Sequence, residues 1–243
     1  MAGADVLCAE PAVGRMHVLV MASQKGGSGK TTLSGHLAVE ADRAGLGPVA
    51  LIDTDPQGSL SHWWNARAAE TPHFAQVGLL QLDEALVQLR EAGVRLAVID
   101  TPPAITESIS QVVAHADLVV VPTRPSPHDL RAVGSTVDLV SGAGKPFLFA
   151  VTQAKPNAKL TTQAATALSE HGQVATAIVF DRVDYAGSMI DGRTVLETDG
   201  KGRSAAEMAE LWQCVKARLS KGTKARKKAE KPNEQETRRR AVV

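Results

Sequence analysis

Residues 18–32 read V-L-V-M-A-S-Q-K-G-G-S-G-K-T-T. The apolar run Val18 to Ala22 predicts a buried strand, and Lys30-Thr31-Thr32 opens a helical pattern. Between them lies a glycine-rich turn. The phosphate-loop template has two glycines bracketing four residues, then Lys and Ser or Thr; Gln24 replaces its usual first glycine, but the strand–loop–helix context is kept. The chemistry of such a turn is direct. Gly26, Gly27 and Gly29, with Ser28 between them, let successive backbone N–H groups converge on a phosphate without a Cβ clash. A helix beginning near Lys30 adds the positive end of its dipole. Lys30 would reach the β- and γ-phosphates, Thr31 would offer its hydroxyl to Mg²⁺, and Thr32 completes the motif. Lys and Thr at this spacing have no packing rationale. A second lysine, Lys25, stands directly before Gly26.

The chain of 243 residues is 44% hydrophobic, enough for one substantial core, and one domain is expected. It contains no apolar run of about eighteen residues, so no membrane span is expected. Cys8 and Cys214 match no metal or disulfide spacing, as suits a reducing cytoplasm. The start carries acids and no basic n-region, unlike a secretory signal. Residues 1–15 show no periodicity and are expected to be a disordered extension, with Met16 a candidate natural start. From Lys221 onward nine Lys/Arg stand against three Glu, leaving +6; the body keeps 18 basic and 23 acidic residues, or −5. A basic tail on an acidic body suggests either a polyanion partner or a solvated solubilising tail.

Apolar strands alternate with helical patterns along the rest of the chain. Strands are expected at 49–52, 96–99, 118–121, 147–151 and 177–180, and helices from Thr31, at 82–92, 128–140, 159–171 and 205–219. This alternation predicts an α/β fold: a doubly wound, mostly parallel sheet with helices on both faces, spanning residues 16–220. Residues 221–243 hold few large apolar side chains and are expected to be disordered.

Asp53, Asp55 and Asp100 close two successive strands, which in open α/β sheets places them beside the phosphate loop. Mg²⁺ takes carboxylate and water oxygens octahedrally, and these residues are positioned to supply them. Asp100 ends its strand as a Walker B aspartate does and would act on the ion through water. Alone, a strand-ending Asp is usually a turn residue; beside this loop it reads as part of a site. The guanine-binding N-K-x-D signature is absent, since the corresponding region reads V-T-Q-A-K-P-N at 151–157.

K-G-G-x-G-K-T-T, with D-x-D-P-Q at 53–57 and T-P-P at 101–103, resembles the ParA/MinD family of dimeric ATPases over about Met16 to Leu219. The segment V-V-V-P-T-R-P-S-P-H-D-L looks like the small ParF-like partition branch, where Pro122, Pro125 and Pro127 are candidates for dimer contacts or simply a rigid entry to a helix. The resemblance implies ATP and Mg²⁺ as cofactors and a slow ATPase. It implies that Lys25 crosses to a partner subunit's nucleotide in an ATP-bound homodimer, that Asp55 orients the attacking water, and that Asp53 supports the metal shell. It also implies non-specific binding to nucleoid DNA through basic residues near the C-terminal end. Candidates by position are Arg182, Arg193, Lys201, Arg203 and Lys216, each otherwise an ordinary surface charge. A ParB-type or equivalent adaptor would stimulate hydrolysis, and the cargo is a plasmid, chromosome or protein complex. Without cluster cysteines, a membrane-binding apolar tail face, a tyrosine cluster or an N-terminal helix-turn-helix, the iron–sulfur, MinD-like, kinase and larger partition relatives are excluded. The expected location is the cytoplasm, on the nucleoid. Two alternatives remain: a metabolic enzyme of the dethiobiotin-synthetase-like class, and an ATP-binding switch with negligible hydrolysis. Trp63 and Trp64 either pack on the sheet or belong to a partner site.

Overall fold

Seven strands form a single sheet in the computed structural model, which describes residues 15–103 and 107–230. They are β1 (His17–Met21), β2 (Val49–Asp53), β3 (His73–Gln76), β4 (Leu96–Asp100), β5 (Leu118–Thr123), β6 (Phe147–Ala154) and β7 (Val174–Phe180). Their order is β3-β2-β4-β1-β5-β6-β7, and every neighbouring pair is parallel. The sheet is therefore fully parallel, beyond the expected mostly parallel arrangement.

Helices cover both faces: α1 (Lys30–Ala41), α2 (Ser59–Asn65), α3 (Leu82–Glu91), α4 (Glu107–Ala114), α5 (Pro127–Gly142), α6 (Lys159–Ser169), α7 (Val183–Met189), α8 (Val195–Thr198) and α9 (Arg203–Glu230). Successive strand residues point to opposite faces, so a strand buried on both sides must be apolar throughout. In β1, Leu19 and Met21 join α1, α2, α8 and α9 through Leu37, Trp63, Leu196 and Trp212. Val18 and Val20 face the opposite way, onto Leu86, Val112, Val133 and Leu168 of α3 to α6.

Three differences from the sequence expectation have physical causes. β3 is a four-residue edge strand, H-F-A-Q, with no fully buried position and no apolar run to announce it. α2, α4, α7 and α8 are at most eight residues long, too short for a clear helical period. The last helix continues past the expected end at Leu219 to Glu230, because K-x-x-K-A-R-K-K-A-E consists mostly of good helix formers. Residues 1–14 and 231–243, including Cys8, lie outside the described residues. Among the described residues, no helix is long and apolar enough to cross a membrane.

Candidate functional site

β1 lies between β4 and β5, and the chain leaves its carboxyl end into the glycine-rich loop. Gly27 and Gly29 hold φ of 69° and 98°, in the left-handed region that a Cβ would strain. β6 fixes the loop from the side: Thr152 Oγ1 donates to the Ser28 carbonyl at 2.8 Å and Gln153 Nε2 to the Gly27 carbonyl at 2.7 Å. Lys30 is 6% exposed, and its Nζ donates to the carbonyls of Ser23 and Lys25 at 3.3 Å each. Burial lowers its pKa, against the raising influence of Asp100 and Asp55.

Parallel pairing sets Asp53 of β2 directly beside Asp100 of β4. Both are buried. Asp100 accepts from Thr31 Oγ1 at 2.7 Å and from Ser34 Oγ at 3.2 Å, so the first turn of α1 is tied to β4. Burial pushes the Asp100 carboxyl up to about 7; the hydrogen bond from Thr31 opposes this, while the charge of Asp53 adds to it. Asp53 accepts from the Asp55 N–H at 3.0 Å and from both the N–H and hydroxyl of Ser61, at 2.9 and 2.8 Å. Both of its oxygens thus hold the segment that carries Asp55 and opens α2. Asp55 itself is half-buried, accepts from the Gln57 N–H at 2.9 Å, and lines the cleft.

A cleft of about 450 Å³ runs along the loop, bounded by Gly26, Lys30, Thr31, Asp55, Gln57 and Pro103 among others. A second cavity of about 190 Å³ shares Gly29, Thr32 and Gln153 with it and ends at Phe180, Arg182 and Tyr185. These residues fit a nucleotide. The N-terminus of α1 has no side-chain cap and no acid in its first turn, and the buried Ser28 hydroxyl has no hydrogen-bond partner among the described residues. The uncapped amides of Gly29 to Thr32 are the donors a phosphate requires. Mg²⁺ fits too. Among the described residues no three His, Cys, Asp or Glu side chains gather into a metal centre. The ion would use the Thr31 hydroxyl and the Asp100 side, and draw its other oxygens from phosphate and water, as this hard cation does.

Lys25 is half-exposed and does not line the cleft; its N–H donates to Ser23 Oγ at 3.4 Å. Two of the five basic candidates are ion-paired and three are exposed. Arg182 pairs with Glu207 at 2.7 Å and Arg193 with Asp191 at 2.6 Å. Lys201, Arg203 and Lys216 are exposed, with Lys216 about 20 Å further along α9 than Arg203 at 1.5 Å per residue. Trp63 is buried in the core and donates to the Arg193 carbonyl at 3.0 Å; Trp64 stacks on Phe74.

Sequence reasoning passed over several residues that the fold brings to this neighbourhood. Ser34 lies one helical turn beyond Thr31, a legible spacing. Ser61, Thr152 and Gln153 gave no signal, since they arrive through α2 and β6. The side chain of Arg67, in the turn after α2, is 4% exposed and bonds Glu197 of α8 through both Nη atoms, at 2.9 and 2.6 Å. It also donates to the carbonyls of Thr71 and Gly192 at 2.8 Å each. Gly192 sits so close to this turn that a Cβ on it would lie 2.3 Å from the Arg67 Cα, and its φ is 78°. On the other side, the Val195 N–H donates to His36 Nε2 of α1 at 3.2 Å. The 190–197 segment is thereby clamped between the phosphate-loop helix and the helix anchored by Asp53.

A fully parallel, doubly covered sheet with a phosphate loop after its central strand, and aspartates at the ends of the adjoining strands, defines a P-loop nucleotide-binding protein. The model of the CobQ/CobB/MinD/ParA nucleotide-binding domain matches residues 19–195, and the chain belongs to this family, whose ParA and MinD members are ATPases. The matched domain is a nucleotide-binding one. The chain is 33% identical over 202 residues to maintenance of carboxysome distribution protein A of Halothiobacillus neapolitanus, covering 78% of this chain and 91% of the relative. It is 31% identical over 144 residues to the chromosome-partitioning ATPase Soj of Thermus thermophilus, covering 47% and 57%. In fold it is similar to Cyanothece McdA in complex with ATP, with TM-score 0.70, 18% identity and coverage of 85% and 97%. It is similar also to MinD of Pyrococcus horikoshii with Mg-ADP, with TM-score 0.69, 15% identity and coverage of 83% and 96%.

Proposed function

We propose that the chain is an ATP-driven positioning ATPase that closes into a homodimer around two nucleotides. The observation that carries this reading is Lys25: it stands beside a complete phosphate and Mg²⁺ site, half-exposed, with no acidic partner among the described residues. A lysine so placed can serve a phosphate that arrives with a second copy. Lys30 holds the β- and γ-phosphates, and the amides from Gly26 to Thr32 cradle them. Asp55, facing the cleft, orients the attacking water. Asp53 positions Asp55 through its N–H, which gives it a holding role behind the site. Mg²⁺, when bound beside Thr31 and Asp100, neutralises charge developing on the phosphates. The cavity ending at Phe180, Arg182 and Tyr185 takes the base.

The cargo is a large cellular body. Relatives are named for carboxysome distribution, in Halothiobacillus neapolitanus and in Gloeobacter kilaueensis, and for chromosome partitioning, in Thermus thermophilus. In this reading the dimer grips nucleoid DNA without sequence preference through Arg182, Arg193, Lys201, Arg203, Lys216 and the basic tail, and an adaptor on the cargo triggers hydrolysis and release. Arg182 and Arg193 would need to exchange their carboxylate partners for phosphate, which makes Lys201, Arg203 and Lys216 the readier contacts. Co-sedimentation with DNA in ATP, ADP and no nucleotide tests the reading. Binding is expected with ATP alone, with log affinity falling linearly against log salt. Binding indifferent to nucleotide or flat in salt would refute it.

A further inference from the structure

The R-P-S-P turn after β5 carries a cation that the loop chemistry has not yet used. Arg124 is the first residue past β5, and β5 neighbours β1, so Arg124 stands alongside the phosphate loop. Its Nη1 lies 3.8 Å from the position a Cβ would take on Gly27. Its Nε donates to Asp129 Oδ1 at 2.9 Å. Asp129 is 4% exposed and is itself fixed at the start of α5, where its N–H donates to Ser126 Oγ at 3.2 Å. The prolines on both sides, Pro122, Pro125 and Pro127, restrict the backbone that carries the arginine.

A guanidinium is planar, so anchoring Nε fixes where the other two nitrogens point. Those two make no hydrogen bond among the described residues, and the side chain is 35% exposed. A structural ion pair alone accounts for the Nε contact. It does not account for a free edge of guanidinium held against Gly27 of a phosphate loop. We propose that Arg124 is a phosphate-binding residue of the nucleotide site, donating from its terminal nitrogens to the polyphosphate at the Gly26–Gly27 edge of the loop. Asp129 is its positioning residue. In the closed dimer each site then carries three cations, its own Lys30 and Arg124 and a Lys25 reaching in from the second copy, around a strongly anionic triphosphate; Lys30 and Arg124 are both held in place before the nucleotide arrives. Pre-orientation of this kind removes the ordering cost that a flexible lysine meets on binding. The inference rests on ATP as cofactor and adds a residue to that site.

The test measures Mg²⁺-ATPγS affinity by calorimetry on the full chain, with thermal melts alongside. Arg124→Gln is expected to weaken affinity at least tenfold, roughly the loss of one charge-assisted hydrogen bond to phosphate. Arg124→Lys, which keeps the charge, should recover part of it. The double variant Arg124→Gln/Asp129→Asn restores a neutral, hydrogen-bonded pair; it should melt near wild type yet bind as weakly as Arg124→Gln. A double variant that regains wild-type affinity would overturn the proposal, since Arg124 would then act only through Asp129. Unchanged affinity in Arg124→Gln would overturn it as well. A wild-type chain with no affinity for nucleotide, in parallel with an equally inert Lys30→Ala control, would bring down the nucleotide site itself along with the inference.

Discussion

Replacing Arg67 by Ala tests the clamp that joins α2 to α8. The guanidinium is 4% exposed and makes four hydrogen bonds, two to Glu197 and two to the carbonyls of Thr71 and Gly192. It also lies 5.4 Å over the Trp63 ring. Breaking a buried ion pair from one side typically costs about 3–5 kcal/mol, because the remaining charge is stranded. Glu197 keeps 21% exposure and its bonds from the Thr194 N–H and hydroxyl, which places the expected loss near the lower end, about 3 kcal/mol. Burial pushes the Glu197 carboxyl up, but the bonds from Arg67 and Thr194 more than offset this and leave it below the usual range. Urea unfolding of the nucleotide-free protein reads the effect. The midpoint should drop by about 1–2 M at an unchanged slope. Glu197→Gln should cost less, since Arg67 retains both carbonyl partners, and the double variant should show coupling above about 1 kcal/mol. A loss under about 1 kcal/mol in Arg67→Ala would mean that the clamp contributes little to the folded state.

Two further outcomes follow from the buried polar groups. His36 Nε2 accepts from the Val195 N–H, so its proton sits on Nδ1 and is donated to the Thr32 carbonyl at 2.8 Å. Burial lowers its pKa to about 4, against weaker raising influences from Thr32 and Glu197. The unfolded chain protonates first, near 6.5, so this stabilisation is complete above that pH and is lost as pH falls toward about 4, by up to about 3 kcal/mol. Stability-versus-pH curves of wild type and His36→Gln should diverge in slope across that window and run parallel above it; parallel curves throughout would refute the buried neutral histidine. Asp53→Asn keeps the size of the side chain but weakens its hold on Asp55 and Ser61. Turnover should fall by at least tenfold while ADP affinity changes less than threefold; an equal loss in both would place Asp53 on the bound nucleotide or ion instead of behind Asp55.

The phosphate loop was legible in the sequence because its chemistry constrains consecutive residues: glycines for the turn, Lys30 and Thr31 for the ligands. The same holds for Asp53 and Asp100, each closing an apolar strand, although only the β2–β4 register shows that they are side by side. What escaped depends on contacts between distant segments. Arg67 meets Glu197 130 residues away, and Gln153 meets Gly27 across 126. Composition and period carry no trace of such pairs. The basic candidates show the converse: Arg182 and Arg193 read as free charges along the chain, yet folding gives each a carboxylate. Edge strand β3 stayed hidden because an edge needs little apolar surface, and α2 because helical periodicity needs more than seven residues.

Mass measurement by light scattering on wild type, Lys25→Ala and Asp55→Ala, each with Mg²⁺-ATP and with Mg²⁺-ADP, bears most directly on the ATP-closed dimer. Asp55→Ala, able to bind but not to turn over, should hold twice the monomer mass with ATP and the monomer mass with ADP. Lys25→Ala should bind ATP and stay monomeric with either nucleotide. A Lys25→Ala protein that dimerises normally on ATP, or an ATP-saturated Asp55→Ala that remains a monomer, would contradict the account.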